Sequence, residues 1–288
     1  MKRLLCNLFF VSMVLASGLA SAQSGAVVEG VQMPAWVERE GKRMPVLPGM
    51  QLKAGDKLST GPGSRLLVKL SEGSLVKLGE NGSLHLKELE PSKSLFKAAL
   101  GVLEGAFRFT TDIAVKNRRR DVNITVATVT AGIRGTDLWG KSAPDRQTVC
   151  LIEGKIEVGA PNETPVTMDQ PRQFYRREKG TTQPVGFVDE AQLAEWSKET
   201  EIEKGKGAAR RTGKWKVALI STDNQNAALD VYDQVRAAGY GAEIIPTLQG
   251  EKRSYVVRIR GLPSKAEANA LAEQLRGKYG VVDPKISS

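Results

Sequence analysis

Histidine is almost missing from this chain of 288 residues, which has one, His85, and cysteine is scarce, with only Cys6 and Cys150. That poverty excludes the usual zinc arrangements, which draw three or four ligands from His and Cys. No metal site and no cofactor is expected. A Ser-His-Asp triad would have to be built on His85, and no nucleophile-elbow motif accompanies it. His85 lies in Leu84-His85-Leu86 and reads as an exposed strand position. Long apolar runs are also missing beyond the first residues, so no later segment reaches the roughly 20 residues that a bilayer span needs. Ser94-Leu95-Phe96-Lys97 fits S-x-x-K, but the S-x-N and K-T-G partners of that chemistry are missing, and Arg211-Thr212-Gly213 is only an echo of the second. No motif selects a pair of carboxylates for glycoside cleavage. No catalytic residue is assigned, and the chain is read as a non-enzyme.

What is present first is an export signal. Lys2 and Arg3 precede a mostly apolar stretch from Leu4 to Leu15, and small residues then close on Ala20-Ser21-Ala22. This is the pattern of a cleaved secretory signal, expected over residues 1–22. Cys6 sits inside the apolar stretch rather than at its end, which disfavours a lipid-modified start. Cleavage after Ala22 removes two basic residues and no acidic one, so the formal charge of +10 falls by two. Cys150 then remains as the one cysteine. No internal disulfide is expected, and Val149-Cys150-Leu151-Ile152 reads as a buried, inert thiol. The basic excess is assigned to general attraction toward anionic envelope components rather than to nucleic acid. Arg118-Arg119-Arg120 reads as a solvated turn.

Residues 25–188 have the texture of an all-β domain, a sandwich or roll. Turn groups at Gly61-Pro62-Gly63, Ser71-Glu72-Gly73, Glu80-Asn81-Gly82 and Glu153-Gly154 punctuate apolar runs such as Leu66–Leu70 and Leu75–Leu78 at about 8–12-residue spacing. Val149–Val158 reads as a hairpin around Glu153-Gly154. Residues 92–104 fit either a short helix or a strand. Residues 189–213 read as a charged linker, opened by a short helix capped by Asp189 with Leu193 and Trp196 three residues apart.

Residues 214–288 alternate differently. Trp215–Leu219 is strand-like. A helical pattern follows through Ala227, Leu229, Tyr232, Val235 and Ala238, closed by Gly239. Glu243–Ile245 and Tyr255–Arg260 read as strands, Ser264–Lys278 as a helix with Ala268, Leu271 and Leu275 on one face, and Val281-Val282 as a last strand. The order is βαββαβ, an RNP-like α+β sheet with two helices on one side.

Two resemblances follow from these residues. Leu52–Gly61 with Gly63-Ser64, Leu70–Ser74, Leu78–Asn81, Gly132–Asp137 and Glu153–Ile156 resemble a FecR-type domain. That likeness implies an envelope compartment and a β fold; control of a sigma factor is not carried over. The glycines of these motifs, with Asp56, Asn81 and Asp137, are read as turn builders. Trp215–Val217, Gly239–Ile244, Tyr255–Ile259 and Ala266–Ala268 resemble a SPOR domain. This likeness implies binding of peptidoglycan glycan strands stripped of stem peptides, often at the division site, on the open face of the sheet.

Alternation names that face. With Trp215, Val217 and Leu219 toward the helices, Lys216, Ala218 and Ile220 point away; with Val257 and Ile259 inward, Val256, Arg258 and Arg260 point outward. A stripped glycan exposes a carboxylate on each muramic acid, which arginine meets with two parallel hydrogen bonds. The glycan-binding candidates are therefore Lys216, Arg258 and Arg260, with Ser221 and Ser254 as sugar contacts. Ala218 and Val256 stand where the family often has glutamine and arginine. The expected protein is a periplasmic, non-catalytic adaptor that holds glycan through its C-terminal domain and an unidentified envelope protein through its β domain. A periplasmic sensor or regulator of a FecR-like signalling system is the alternative.

Overall fold

The structure is a computed structural model, and it describes residues 25–92, 95–111, 119–133, 135–250 and 252–288. The expected signal segment lies outside these residues, as do Ser94, Arg118 and Arg134.

The first part of the chain is all-β, in two layered sheets. In one, Ala26–Gln32 pairs with Arg65–Leu70, which pairs with Leu75–Leu78. That sheet continues through the second half of Leu95–Thr110 to Asp137–Ala143, Arg146–Glu153 and Gln173–Glu178. The other runs from Lys42–Pro45 through Ala35–Arg39, Lys57–Thr60 and Ser83–Pro91 to the first half of Leu95–Thr110. Beyond it lie Arg119–Val126, Val129–Ile133, Ile156–Gly159 and Val166–Met168. Residues 95–110 thus settle as one 16-residue strand that serves both sheets. It bends at Gly105, whose φ of +83° and backbone approach to Gly82 (a Cβ would lie 2.6 Å from its Cα) leave room for glycine alone.

Alternation fills the space between the layers. Val28, Leu66, Val68, Phe107 and Phe109 from one sheet and Val37, Leu58, Leu84, Phe96 and Leu100 from the other are all buried. Each fully buried side chain of this size contributes about 1.5–3 kcal/mol relative to exposure.

The hairpin expected at Val149–Val158 does not form. Arg146–Glu153 and Ile156–Gly159 belong to different sheets and do not pair with each other. At Gly154 (φ +94°) the chain crosses between layers, against Thr136 and the Gly135 carbonyl. A hairpin and a crossover share the same apolar alternation and the same turn glycine, so local sequence does not separate them.

Cys150 is buried, and burial pushes its thiol up to about 12. The thiolate is the reactive form. Iodoacetamide at pH 8 is therefore expected to leave Cys150 unlabelled in the folded protein and to label it fully in denaturant; rapid labelling of Cys150 in the folded chain would contradict this burial.

Residues 189–213 connect the two parts, but they are not a free linker. The helix Glu190–Lys198 begins at Asp189, whose carboxylate accepts from Gln192 N at 2.8 Å. Trp196 stacks on Trp139 with ring centroids 4.6 Å apart. Lys141 pairs with Glu199, Lys77 and Arg108 with Glu201, and Arg65 with Glu203. Ala209–Arg210 then adds to the edge of the first sheet beside Gly30 and Val31. The acidic residues that make this segment look solvated are the ones that bind it to basic side chains of the β domain.

The C-terminal part has the order strand Trp215–Thr222, helix Gln225–Ala237, strands Ala242–Gln249 and Lys252–Leu262, helix Lys265–Leu275, strand Lys285–Ser287. The sheet order across the domain is 242–249, 252–262, 215–222, 285–287, all antiparallel. The second helix buries Ala268, Leu271 and Leu275 as expected. In the first, the packed face is Ala228, Val231 and Val235, while Leu229 is partly solvent-exposed. The last strand is not Val281-Val282: Val281 N and Gly277 N bond within a tight turn, and pairing resumes at Lys285.

This domain rests on the β domain. Ala35 N donates to Gly239 O at 3.0 Å, and Trp36 Nε1 to Ala237 O at 3.2 Å. Gly239 (φ +87°) lies so close to Trp36 that a Cβ would meet its indole at 2.6 Å. Glu267, on the second helix, accepts from Gly205 N, Gly207 N and Ala208 N at 2.7, 2.8 and 3.1 Å.

Candidate functional site

The two C-terminal helices cover one face of the four-stranded sheet and leave the other open. Strand register decides which side chains share the open face, because directly opposed residues point the same way. Arg260 opposes Lys216; Arg258 opposes both Ala218 and Glu243. Val256 opposes Ser221 and Ile245, and Ser254 opposes Thr247. On the last strand, Lys285 opposes Ala218 and Ser287 opposes Lys216. Val217, Leu219, Val257 and Ile259 are buried beneath the helices.

All five candidates therefore fall on this face, though one arrives by a route that alternation does not foresee. Strict alternation from Trp215 would turn Ser221 inward. A bulge between Ala218 and Ile220 shifts the register, so that Ile220 opposes the inward Val257 and Ser221 opposes the outward Val256. Ile220, expected to point away from the helices, instead packs partly against the core.

The two arginines are already organised. Glu243 accepts from Arg258 Nε at 2.7 Å through Oε1 and stands 3.3 Å from Arg260 Nε through Oε2. One carboxylate thus holds two guanidiniums side by side through their Nε edges. Lys216 forms no ion pair among the described residues, while Lys285 is paired with Asp283. Ser254 Oγ is committed to Thr247 Oγ1 at 2.6 Å, whereas Ser221 is exposed.

The sequence reading overlooked Glu243, Thr247 and Lys285. Glu243 had a signal: it precedes the apolar Ile244 in a strand, so its side chain had to share a face with outward residues of the neighbouring strand. Which residues those are depends on register, and register is not local.

Motif acids of the β domain have other tasks. Asp56 is fully buried; it accepts from Lys53 N at 2.9 Å and from Arg39 Nε and Nη2 at 2.7 and 2.6 Å. Asp137, expected to bond turn backbone, is instead held by Arg108 at 2.9 and 2.7 Å. His85 lies beside Lys57 and Lys87; partial burial, then these two charges, hold its imidazole below the ordinary value. Among the described residues there is no cluster of three or more His, Cys, Asp or Glu side chains fit for a metal ion. No helix among them is long and apolar enough to cross a membrane.

Comparison with known proteins agrees with this division. The family model described as FecR protein matches residues 56–157, and that described as SPOR domain matches residues 212–284. No curated protein matches the chain. Two crystal structures, each described as a candidate anti-sigma factor from Parabacteroides distasonis, are similar in part. The first is 16% identical with a TM-score of 0.41, over 49% of this chain and 64% of that one, so the match spans less than two thirds of its length. The second is 15% identical with a TM-score of 0.40, over 76% and 89%. The chain thus carries a FecR domain and, after it, a SPOR domain.

Proposed function

We propose that this is a non-catalytic periplasmic protein that binds stem-peptide-stripped glycan strands of peptidoglycan on the open face of its SPOR domain. Lys216, Arg258 and Arg260 meet the muramic acid carboxylates, and Ser221 contacts the sugars. The observation that carries this reading is the paired presentation of Arg258 and Arg260 on Glu243, beside Lys216. Nε of each guanidinium is turned to Glu243, which leaves the terminal nitrogens as the donors for a ligand. Ser254, occupied by Thr247, has a secondary part. The FecR domain engages a second envelope protein, and the signal segment directs export.

Retention on wall sacculi is the test. Binding should rise once an amidase has removed the stem peptides, and changing Lys216, Arg258 and Arg260 together to alanine should weaken it by at least about tenfold. Glu243→Gln keeps an acceptor oxygen for Arg258 Nε while removing the charge that competes with the ligand, and should tighten binding by about two- to threefold, the scale of an exposed ion pair. Equal binding to intact and stripped sacculi would rule the glycan reading out. An envelope protein crosslinked to the full chain should still be recovered with the triple variant; its loss would assign that partner to the SPOR face instead.

A further inference from the structure

Three arginines meet where the C-terminal sheet abuts the β domain. Arg260, from the open face, lines a cavity of about 40 Å³ together with Arg210 and Arg211 of the connector and with Met33 and Pro48 of the β domain. Glycines bring the backbones together there: a Cβ on Gly213 would lie 2.0 Å from the Gly261 carbonyl oxygen, and one on Gly261 3.0 Å from that of Arg210.

It is the β domain that fixes Arg210 and Arg211. Arg210 opposes Gly30 in the strand ladder, and its side chain lies across that glycine, where a Cβ would come within 2.8 Å of Arg210 Cδ. Arg211 N donates to Glu29 O at 3.1 Å, and its Nε stands 3.3 Å from Glu29 Oε1. Among the described residues, Arg210 has no carboxylate partner. Arg260, at the end of the basic row it forms with Arg258 and Lys216, thus shares a cavity with two arginines anchored to the first strand of the other domain.

We propose that the glycan footprint crosses this junction, with Arg210 and Arg211 receiving a muramic acid carboxylate on a repeat adjacent to the one bound by Arg258 and Arg260. This rests on the glycan reading of the open face. A stripped glycan is a linear polyanion with a carboxylate at every second sugar, so a strand held on the sheet presents further carboxylates beyond its border. Fixed guanidiniums just past that border receive one without ordering new side chains on binding. The β domain then contributes directly to wall binding, by positioning two of the five basic side chains.

The experiment compares full-length wild type, Arg210→Gln/Arg211→Gln, Arg258→Gln and Glu29→Gln on amidase-stripped sacculi, on intact sacculi and on vesicles containing anionic phospholipid, with thermal melts as a check on folding. The double variant should bind stripped sacculi about fivefold more weakly, and Glu29→Gln, which keeps an acceptor oxygen beside Arg211 Nε but removes the charge that competes for it, about twofold more tightly. Unchanged binding in both, with Arg258→Gln still weakened, would overturn the extended footprint and leave the open-face reading standing. An equal loss on vesicles and intact sacculi would make Arg210 and Arg211 general anion contacts and overturn it as well. If Arg258→Gln binds stripped sacculi like wild type, both readings fall. Should the double variant melt early, Glu29→Gln decides alone.

Discussion

Changing Glu267 to alanine is expected to destabilise the attachment of the SPOR domain by about 3–4 kcal/mol, since charge-assisted hydrogen bonds are lost and their buried donors are stranded. Ser264-Lys265-Ala266-Glu267 has the sequence of a capping box, and Ser264 Oγ does accept from Glu267 N at 3.2 Å. The glutamate does not complete the box. It reaches instead to three backbone N–H groups of the connector, at Gly205, Gly207 and Ala208, where the last two donors are buried. A carboxylate in the first turn of a helix is also favoured by the helix dipole. The loss should appear as a lower melting temperature and as faster hydrogen exchange at the amides of Gly207 and Ala208. Glu267→Gln, which keeps an acceptor oxygen but no charge, should lose less. Exchange at wild-type rates in the alanine variant would show that these bonds do not hold the connector.

The second large effect is expected at Asp56. Its side chain is fully buried and serves both the Lys53–Asp56 turn and the guanidinium of Arg39 in the neighbouring strand. Removing the buried carboxylate strands the turn N–H and leaves the partly exposed Arg39 guanidinium without its partner, at a cost of about 2–3 kcal/mol. Asp56→Ala should therefore shift the denaturant midpoint of the β domain strongly. Asp56→Asn, which still offers an oxygen to Lys53 N, should shift it less. Equal midpoints for wild type and Asp56→Ala would remove the claim. The same reasoning explains why this position belongs to the FecR pattern without being a site: it holds a turn to a strand.

Much of the fold was legible, and the errors have a common physical origin. Ala268, Leu271 and Leu275 form a stripe that only a helix can bury together, so the second SPOR helix was readable. The first helix carries apolar side chains on more than one side, and the packed face turned out to be Ala228, Val231 and Val235 rather than the one through Ala227 and Leu229. Glu153-Gly154 looked like a hairpin because alternation reports which way a side chain points, not which sheet its strand joins. The open face was readable as far as Lys216, Arg258 and Arg260 because alternation suffices there. Glu243 needed the register of a second strand, and Arg210 and Arg211 needed a third, contributed by another domain. Segment 198–213 misled by composition: its acids Glu199 and Glu201 are paired with Lys77, Arg108 and Lys141, which lie far away in sequence.

The strand Ala209–Arg210 has a consequence for how the protein comes into being. A β-sheet border with free N–H and C=O groups is a template for pairing with another chain. Beside Gly30 and Val31 that border is closed by residues from the far side of the sequence. Because synthesis proceeds from the N-terminus, the β domain can have emerged in every other strand and still expose this seam until residue 210 has emerged. Contacts so distant along the chain form late, after a large loop has closed. The border of the first domain is thus completed by residues that lie just before the second, and a chain cut short before the connector is expected to leave that border open.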